Sequence, residues 1–268
     1  MKAYLKLIGI LALPLAFVIW YAHTPVQIPP PGWKLSKIKS TSLPLPLQGK
    51  GENTEQIPPF LEEQGEVLSH IKESEGGCLD TTTHRILFFG DSMIEGLLRR
   101  MNCYVFANGH SITNVVWYGS TTETWAKTDT LRCFMSKVKP TFAMISIGAN
   151  EQSVKDAAGR ETSIRQIMQI LGDIPFVWIG VPAWKEDSGI NDLTQRVVGK
   201  DRYFDSRGLT LQRGRDHIHP TFYAASKWMD SVAIWMASPA TAHPIRMNKP
   251  TDGKKHSYKT YVLQPTNN

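Results

Sequence analysis

Two widely separated stretches of this 268-residue chain hold the residue types of nucleophilic catalysis. The first is Gly90-Asp91-Ser92, which closes an apolar run and precedes residues able to start a helix. A serine at such a strand-to-helix turn projects its hydroxyl beyond the sheet. Its own backbone N–H, near a helix amino terminus, can help hold a developing oxyanion. The second stretch is Asp216-His217-Ile218-His219-Pro220-Thr221, just ahead of the last helical pattern. A serine hydroxyl needs a base to take its proton, and an imidazole needs a carboxylate to fix its tautomer and stabilise the imidazolium. Asp216, three residues before His219, can serve it from one turn.

Two glycine turns lie between these stretches. Gly119-Ser120 follows a second apolar run, and the glycine lets the backbone approach a substrate closely. Gly148-Ala149-Asn150-Glu151 follows a third, and the Asn150 amide can donate to the same oxyanion. Each stretch also has a plain reading, since Asp and Ser are ordinary helix caps and Gly and Asn ordinary turn residues. His217 and His219 are close enough to share a metal, but no Asp, Glu or Cys cluster elsewhere has ligand spacing, so no metal is expected. Glu151 reads either as a second base or as a solvated residue at a helix start. Trp184, after Gly180-Val181-Pro182, either stacks on a sugar ring or packs locally, while Trp117 and Trp125 read as core.

The elements that must position these residues alternate strand-like and helix-like patterns. The spacing predicts strands over 85–90, 112–118, 141–148 and 175–180, and helices over 94–106, 122–138, 163–171 and 222–237. Short apolar strands separated by helices require a parallel sheet covered on both faces. The expected fold is therefore α/β, a three-layer sandwich with a mostly parallel central sheet flanked by helices, flavodoxin-like in arrangement. Function in such sheets gathers at the carboxyl ends of the strands, where every candidate above falls.

With 41% hydrophobic and 20% charged residues, the chain has enough apolar side chains for a sizeable core, which excludes disordered, collagen-like and coiled-coil classes. The net charge of +6 is not gathered into a run of Lys and Arg, so nucleic acid is not an expected partner. Cys78, Cys103 and Cys133 are too few for a disulfide framework and read as buried small hydrophobes. Lys2 and Lys6 precede an uncharged run from Leu7 to Ala22 that ends in Trp20-Tyr21. The run nears the span of about 20 apolar residues that crosses a bilayer, and no small residues mark a cleavage point. It reads as an uncleaved anchor, with positive residues inside and everything after His23 outside the cytoplasm. Residues 1–23 are thus a membrane anchor or signal and 24–77 a Pro-rich linker with one short helix near 59–71. Residues 78–238 form the α/β domain, and 239–268 a basic tail, packed on the surface or disordered.

Taken in order, Gly90-Asp91-Ser92, Gly119, Gly148-Ala149-Asn150 and Asp216-x-x-His219 resemble the four blocks of the SGNH hydrolase family, the GDSL-type esterases. The resemblance spans residues 85–237. It departs from the family pattern in two places: Glu151 stands where an aspartate usually follows the asparagine, and Met93-Ile94 replaces the fuller Gly-Asp-Ser-Leu form. The resemblance implies Ser92 as nucleophile, His219 as base, Asp216 as its orienting carboxylate and an oxyanion hole of Ser92, Gly119 and Asn150. Asp91, Glu151 and Trp184 would stand beside the substrate, and no cofactor is needed. With the anchored amino terminus, Gly-Asp-Ser-Met-x-x-Gly and Trp117-Tyr118, the chain looks most like extracytoplasmic bacterial members associated with acylation of surface polysaccharides. The implied activity is serine-dependent hydrolysis of carbohydrate O-acetyl esters by a membrane-anchored protein of the periplasm or cell surface. The alternatives are O-acetyl transfer onto a polysaccharide, with a membrane acyltransferase as partner, and a noncatalytic glycan-binding or assembly subunit.

Overall fold

Alternation of large apolar residues commits each strand to two faces. In β1 (Arg85–Gly90), Ile86 and Phe88 turn to one side and Leu87 and Phe89 to the other, and all four are wholly buried. β2 (Ser111–Trp117), β3 (Phe142–Ser146), β4 (Phe176–Ile179), the two-residue β5 (Tyr203–Phe204) and β6 (Lys259–Leu263) join it in a sheet of order β5-β4-β3-β1-β2-β6. Every pairing is parallel. The computed structural model describes residues 78–251 and 255–265; the anchor expected at 1–23, the linker at 24–77 and its helix lie outside the described residues.

Helices cover both faces. α1 (Ile94–Asn108) and α6 (Phe222–Met236) bring Leu97, Met101, Trp228 and Val232 onto the Ile86–Phe88 side. α2 (Thr122–Lys127), α3 (Thr130–Val138), α4 (Glu161–Leu171) and α5 (Ile190–Val198) bring Trp125, Phe134, Ile167 and Leu193 onto the Leu87–Phe89 side. The molecule is an α/β three-layer sandwich. No helix among the described residues is long and apolar enough to cross a membrane.

Four local expectations change. The single helix read over 122–138 is two helices, because Thr128 is extended (φ −105°, ψ 159°) and turns its hydroxyl back onto the Thr124 carbonyl. The stretch Ile190–Val198 is helical although no helix was read there. The tail is built into the domain: Ile245 and Met247 are buried, the Asp80 N–H donates to the Pro244 carbonyl while the Asp80 carbonyl accepts the Arg246 N–H, and 259–263 form the edge strand beside β2. Cys78 and Cys133 are exposed and Cys103 is partly exposed, donating to the Arg99 carbonyl, so none of them is a core residue.

Sheet order reverses between β1 and β3, and the carboxyl ends of these two strands make the crevice that such a reversal opens. Gly90 lets them meet, since a Cβ there would stand 1.9 Å from the Ser146 carbonyl oxygen. Asp91 then fastens them. Its N–H donates to the Ser146 carbonyl (3.1 Å); its Oδ1 accepts from the Met93 N–H (3.0 Å) and its Oδ2 from the N–H groups of Gly148 (3.1 Å) and Ala149 (3.0 Å). The side chain has no exposed surface, and burial pushes its pKa up to about 6 despite the three N–H donors that favour the anion.

The direction of that shift fixes a pH effect. Between its ordinary value of 3.8 and about 6 the folded protein keeps the Asp91 proton while the unfolded chain has released it. The group's contribution to stability is therefore fully present below about pH 4 and declines as pH rises to about 6. Asp91→Asn does not titrate, so wild type gains on the variant as pH falls, by up to about 3 kcal/mol between pH 7 and 4. Urea unfolding of both proteins at the two pH values reads this gap. A gap that does not change with pH would mean that the carboxylate folds without taking up a proton.

Candidate active site

Ser92 occupies the turn between β1 and α1, and only 9% of its surface is exposed. Its hydroxyl donates to His219 Nε2 at 2.8 Å, and with the imidazole proton on Nδ1 that N–H donates to Asp216 Oδ2 at 2.7 Å. The chain from hydroxyl to imidazole to carboxylate is thus complete, and both ring nitrogens of His219 are engaged.

The loop carrying His219 and Asp216 is built from short-range bonds. Asp216 Oδ1 accepts the backbone N–H groups of Ile218 (2.9 Å) and His219 (3.0 Å), as an Asx turn does, while the Gly214 N–H donates to the His219 carbonyl at 2.8 Å. His217 takes the left-handed conformation (φ 59°), which reverses the chain between Asp216 and His219. Arg213 anchors the loop: its guanidinium donates to the carbonyls of Ile218, Pro182 and Ala183, the last two just beyond β4. Hydrogen bonding from His219, then from the two backbone N–H groups, holds the Asp216 carboxyl far below the usual carboxylate range. Asp216 is therefore an anion at neutral pH, as an imidazole that must become imidazolium requires. The His219 and Asp216 side chains are 39% and 48% exposed, so water reaches the imidazole while the Ser92 hydroxyl stays recessed.

The three expected oxyanion donors stand at the ends of adjacent strands. Gly119 follows β2 with φ 70°, and a side chain there would also press on Pro265. Among the described residues neither the Ser92 nor the Gly119 N–H donates to a protein acceptor. Asn150, in the turn after β3, uses one amide N–H on the Ser120 carbonyl (2.9 Å), which ties its side chain to the end of β2.

The three residues expected beside the substrate lie elsewhere or are partly occupied. Asp91 has no surface to offer and acts as the fastener described above. Glu151 is equally enclosed: its Oε2 and Oε1 accept from the Thr122 backbone N–H and hydroxyl, both at 2.8 Å, and Arg160 Nε stands 3.1 Å away. Burial raises its pKa, opposed by the Thr122 bonds. It is neither a substrate contact nor a solvated helix-start residue; the carboxylate reaches across to the first turn of α2. Trp184 is half-buried, donating from Nε1 to the Ala149 carbonyl (3.3 Å), with Lys185 Nζ 4.4 Å from its ring centroid.

One pair escaped the sequence reading. Tyr118, immediately before Gly119, donates its hydroxyl to Glu95, in the first turn of α1 three residues after Ser92. Burial and then Glu95 push the Tyr118 pKa above its ordinary value, so the phenol keeps its proton and the tie holds. It braces the turns that carry Ser92 and Gly119 against each other. Its signal in the sequence was only adjacency to two motif residues.

Neither a family model nor a curated protein matches this chain. Among solved structures it is similar to a gut microbial diltiazem-metabolizing enzyme, at 15% identity and a TM-score of 0.39, over 55% of this chain and 47% of that one. The chain therefore spans about half the length of the structure it matches.

Proposed function

We propose that the chain is a serine-dependent carbohydrate-ester hydrolase of SGNH type, an O-acetylesterase working outside the cytoplasm. The observation that carries this reading is the unbroken relay from the Ser92 hydroxyl through His219 to an ionised Asp216. In this reading Ser92 Oγ attacks the ester carbonyl carbon while His219 Nε2 takes its proton. The N–H groups of Ser92 and Gly119 and the Asn150 amide receive the charge on the carbonyl oxygen. As the tetrahedral intermediate collapses, the imidazolium returns the proton to the leaving sugar oxygen, with Asp216 stabilising the ring. Water, deprotonated by His219, then attacks the acetyl-Ser92 ester and releases acetate. Solvent access to His219 favours water as the acceptor. The uncharged run at residues 7–22 supports the extracytoplasmic placement.

Two substitutions test the chemistry with p-nitrophenyl acetate and an O-acetylated oligosaccharide. Ser92→Ala is expected to lower kcat at least about 10³-fold with the fold intact by circular dichroism. Turnover no higher than the uncatalysed background in both proteins would instead leave a noncatalytic glycan-binding or assembly role, and equal turnover above it would remove Ser92 as the nucleophile. Asn150→Ala is expected to lower kcat by about 10²–10³ with little change in KM, because the amide is needed only where charge develops. Unacetylated oligosaccharide is expected to leave acetate release unchanged. Appearance of acetylated oligosaccharide at the expense of acetate would make the protein an O-acetyltransferase.

A further inference from the structure

At the other end of the sheet, strand register builds a second chemical environment. Arg85 pairs with Ser111, and Thr113 with Lys259; these residues and Tyr261 all project from the face that bears Leu87, Val115 and Leu263. The last turn of α3 adds Lys137 and Val138. Together with Ile86 and Ile112 they line a cavity of about 230 Å³. Its lining holds three cations, two aliphatic hydroxyls and a phenol, and no carboxylate.

The charge there is uncompensated. Among the described residues Arg85, Lys137 and Lys259 form no ion pair, as is also true of several other surface cations such as Arg99 and Arg132. Arg85 uses Nε on the Lys139 carbonyl (3.0 Å), at the left-handed cap of α3. Among the described residues no hydrogen bond engages its terminal nitrogens. Lys137 and Lys259 stand 4.9 and 5.2 Å from the Tyr261 ring centroid, a cation–π arrangement that holds two like charges over one ring. Burial would raise the Tyr261 pKa, yet the two lysines bring it below its ordinary value, a sign of local positive potential.

We propose that this cavity binds an acidic sugar ring whose charge is a carboxylate or a phosphate. The three cations supply charge-assisted donors to the anion. Ser111 and Thr113 match sugar hydroxyls, and Val138 gives the ring's C–H face an apolar contact, while Ile86 and Ile112 turn their side chains to the opposite face of the sheet. A single water needs about 10–15 Å³ measured in this way, so the space exceeds what a lone oxyanion fills. The site is separate from the catalytic one: Arg85 and Gly90 bound opposite ends of β1, about 17 Å apart at the usual rise per residue. It does not depend on the acyl-ester reading.

Calorimetric titration of the full chain with glucuronate, glucose 6-phosphate, glucose and inorganic phosphate tests the assignment. At least one acidic sugar is expected to bind about tenfold or more tightly than glucose or phosphate, and the better of the two identifies the anion. Lys137→Gln and Lys259→Gln, both at exposed positions, should each weaken that binding about tenfold, the loss of one charge-assisted contact. Thr113→Val should weaken the sugar but not phosphate. The lysine variants should keep wild-type p-nitrophenyl acetate turnover, so failure here and failure of the esterase reading remain distinguishable. Absence of saturable binding by both acidic sugars, binding unaltered in the lysine variants, or phosphate bound as tightly as the sugars would overturn it.

Discussion

The Asp91 carboxylate is the contact on which the site's geometry depends. A buried carboxylate is costly to ionise, and among the described residues no cation offsets it; three backbone N–H groups do, drawn from the turn after β1 and the turn after β3. Those turns carry Ser92 and Asn150. Their separation is therefore set by hydrogen bonds to a single side chain, not by loop packing. The close approach at Gly90 belongs to the same constraint, because only a residue without Cβ lets the Ser146 carbonyl come near enough for the Asp91 N–H to reach it. The raised pKa of Asp91 is the electrostatic cost of this junction.

The two halves of the relay are held by different means. Ser92, Gly119 and Asn150 sit at the ends of core strands and inherit their rigidity from a sheet whose inner residues have no exposed surface. His219 and Asp216 lie on a loop with little burial, stiffened by the Asx turn at Asp216 and by the three carbonyls that Arg213 gathers. This division explains why Asp216 is so acidic while exposed. Hydrogen bonds to the anion lower its pKa without the desolvation that burial would add. The result is a solvated imidazole beside a recessed hydroxyl.

The legible part of the sequence was the part buried on both faces. β1, β3 and β4 read as continuous apolar runs because helices cover them on each side, and the blocks around Ser92 and Asn150 were legible at the ends of β1 and β3. β6 was not, since an edge strand needs only one buried face, and Lys259, Thr260 and Val262 hide the alternation of Tyr261 and Leu263. Glu151 could not be placed because its destination, Thr122, is 29 residues away in sequence and meets it only once β2 and β3 flank β1. The break at Thr128 turns on one side-chain bond to a carbonyl four residues earlier, a competition between side chain and helix that periodicity does not register.

The edge strand that the sequence concealed is also what connects the two ends of the sheet. β6 begins with Lys259, paired with Thr113 in the basic cavity, and leads to Pro265, against which any side chain at Gly119 would press. Between them the Leu263 carbonyl accepts the Tyr118 N–H, and the Tyr118 hydroxyl is tied to Glu95 in the first turn after Ser92. The turn bearing the Gly119 N–H is thus held from one side by α1 and from the other by β6. Because β6 runs parallel to β2, it necessarily starts at the cavity and finishes at the end of the sheet that bears Gly119 and Ser92.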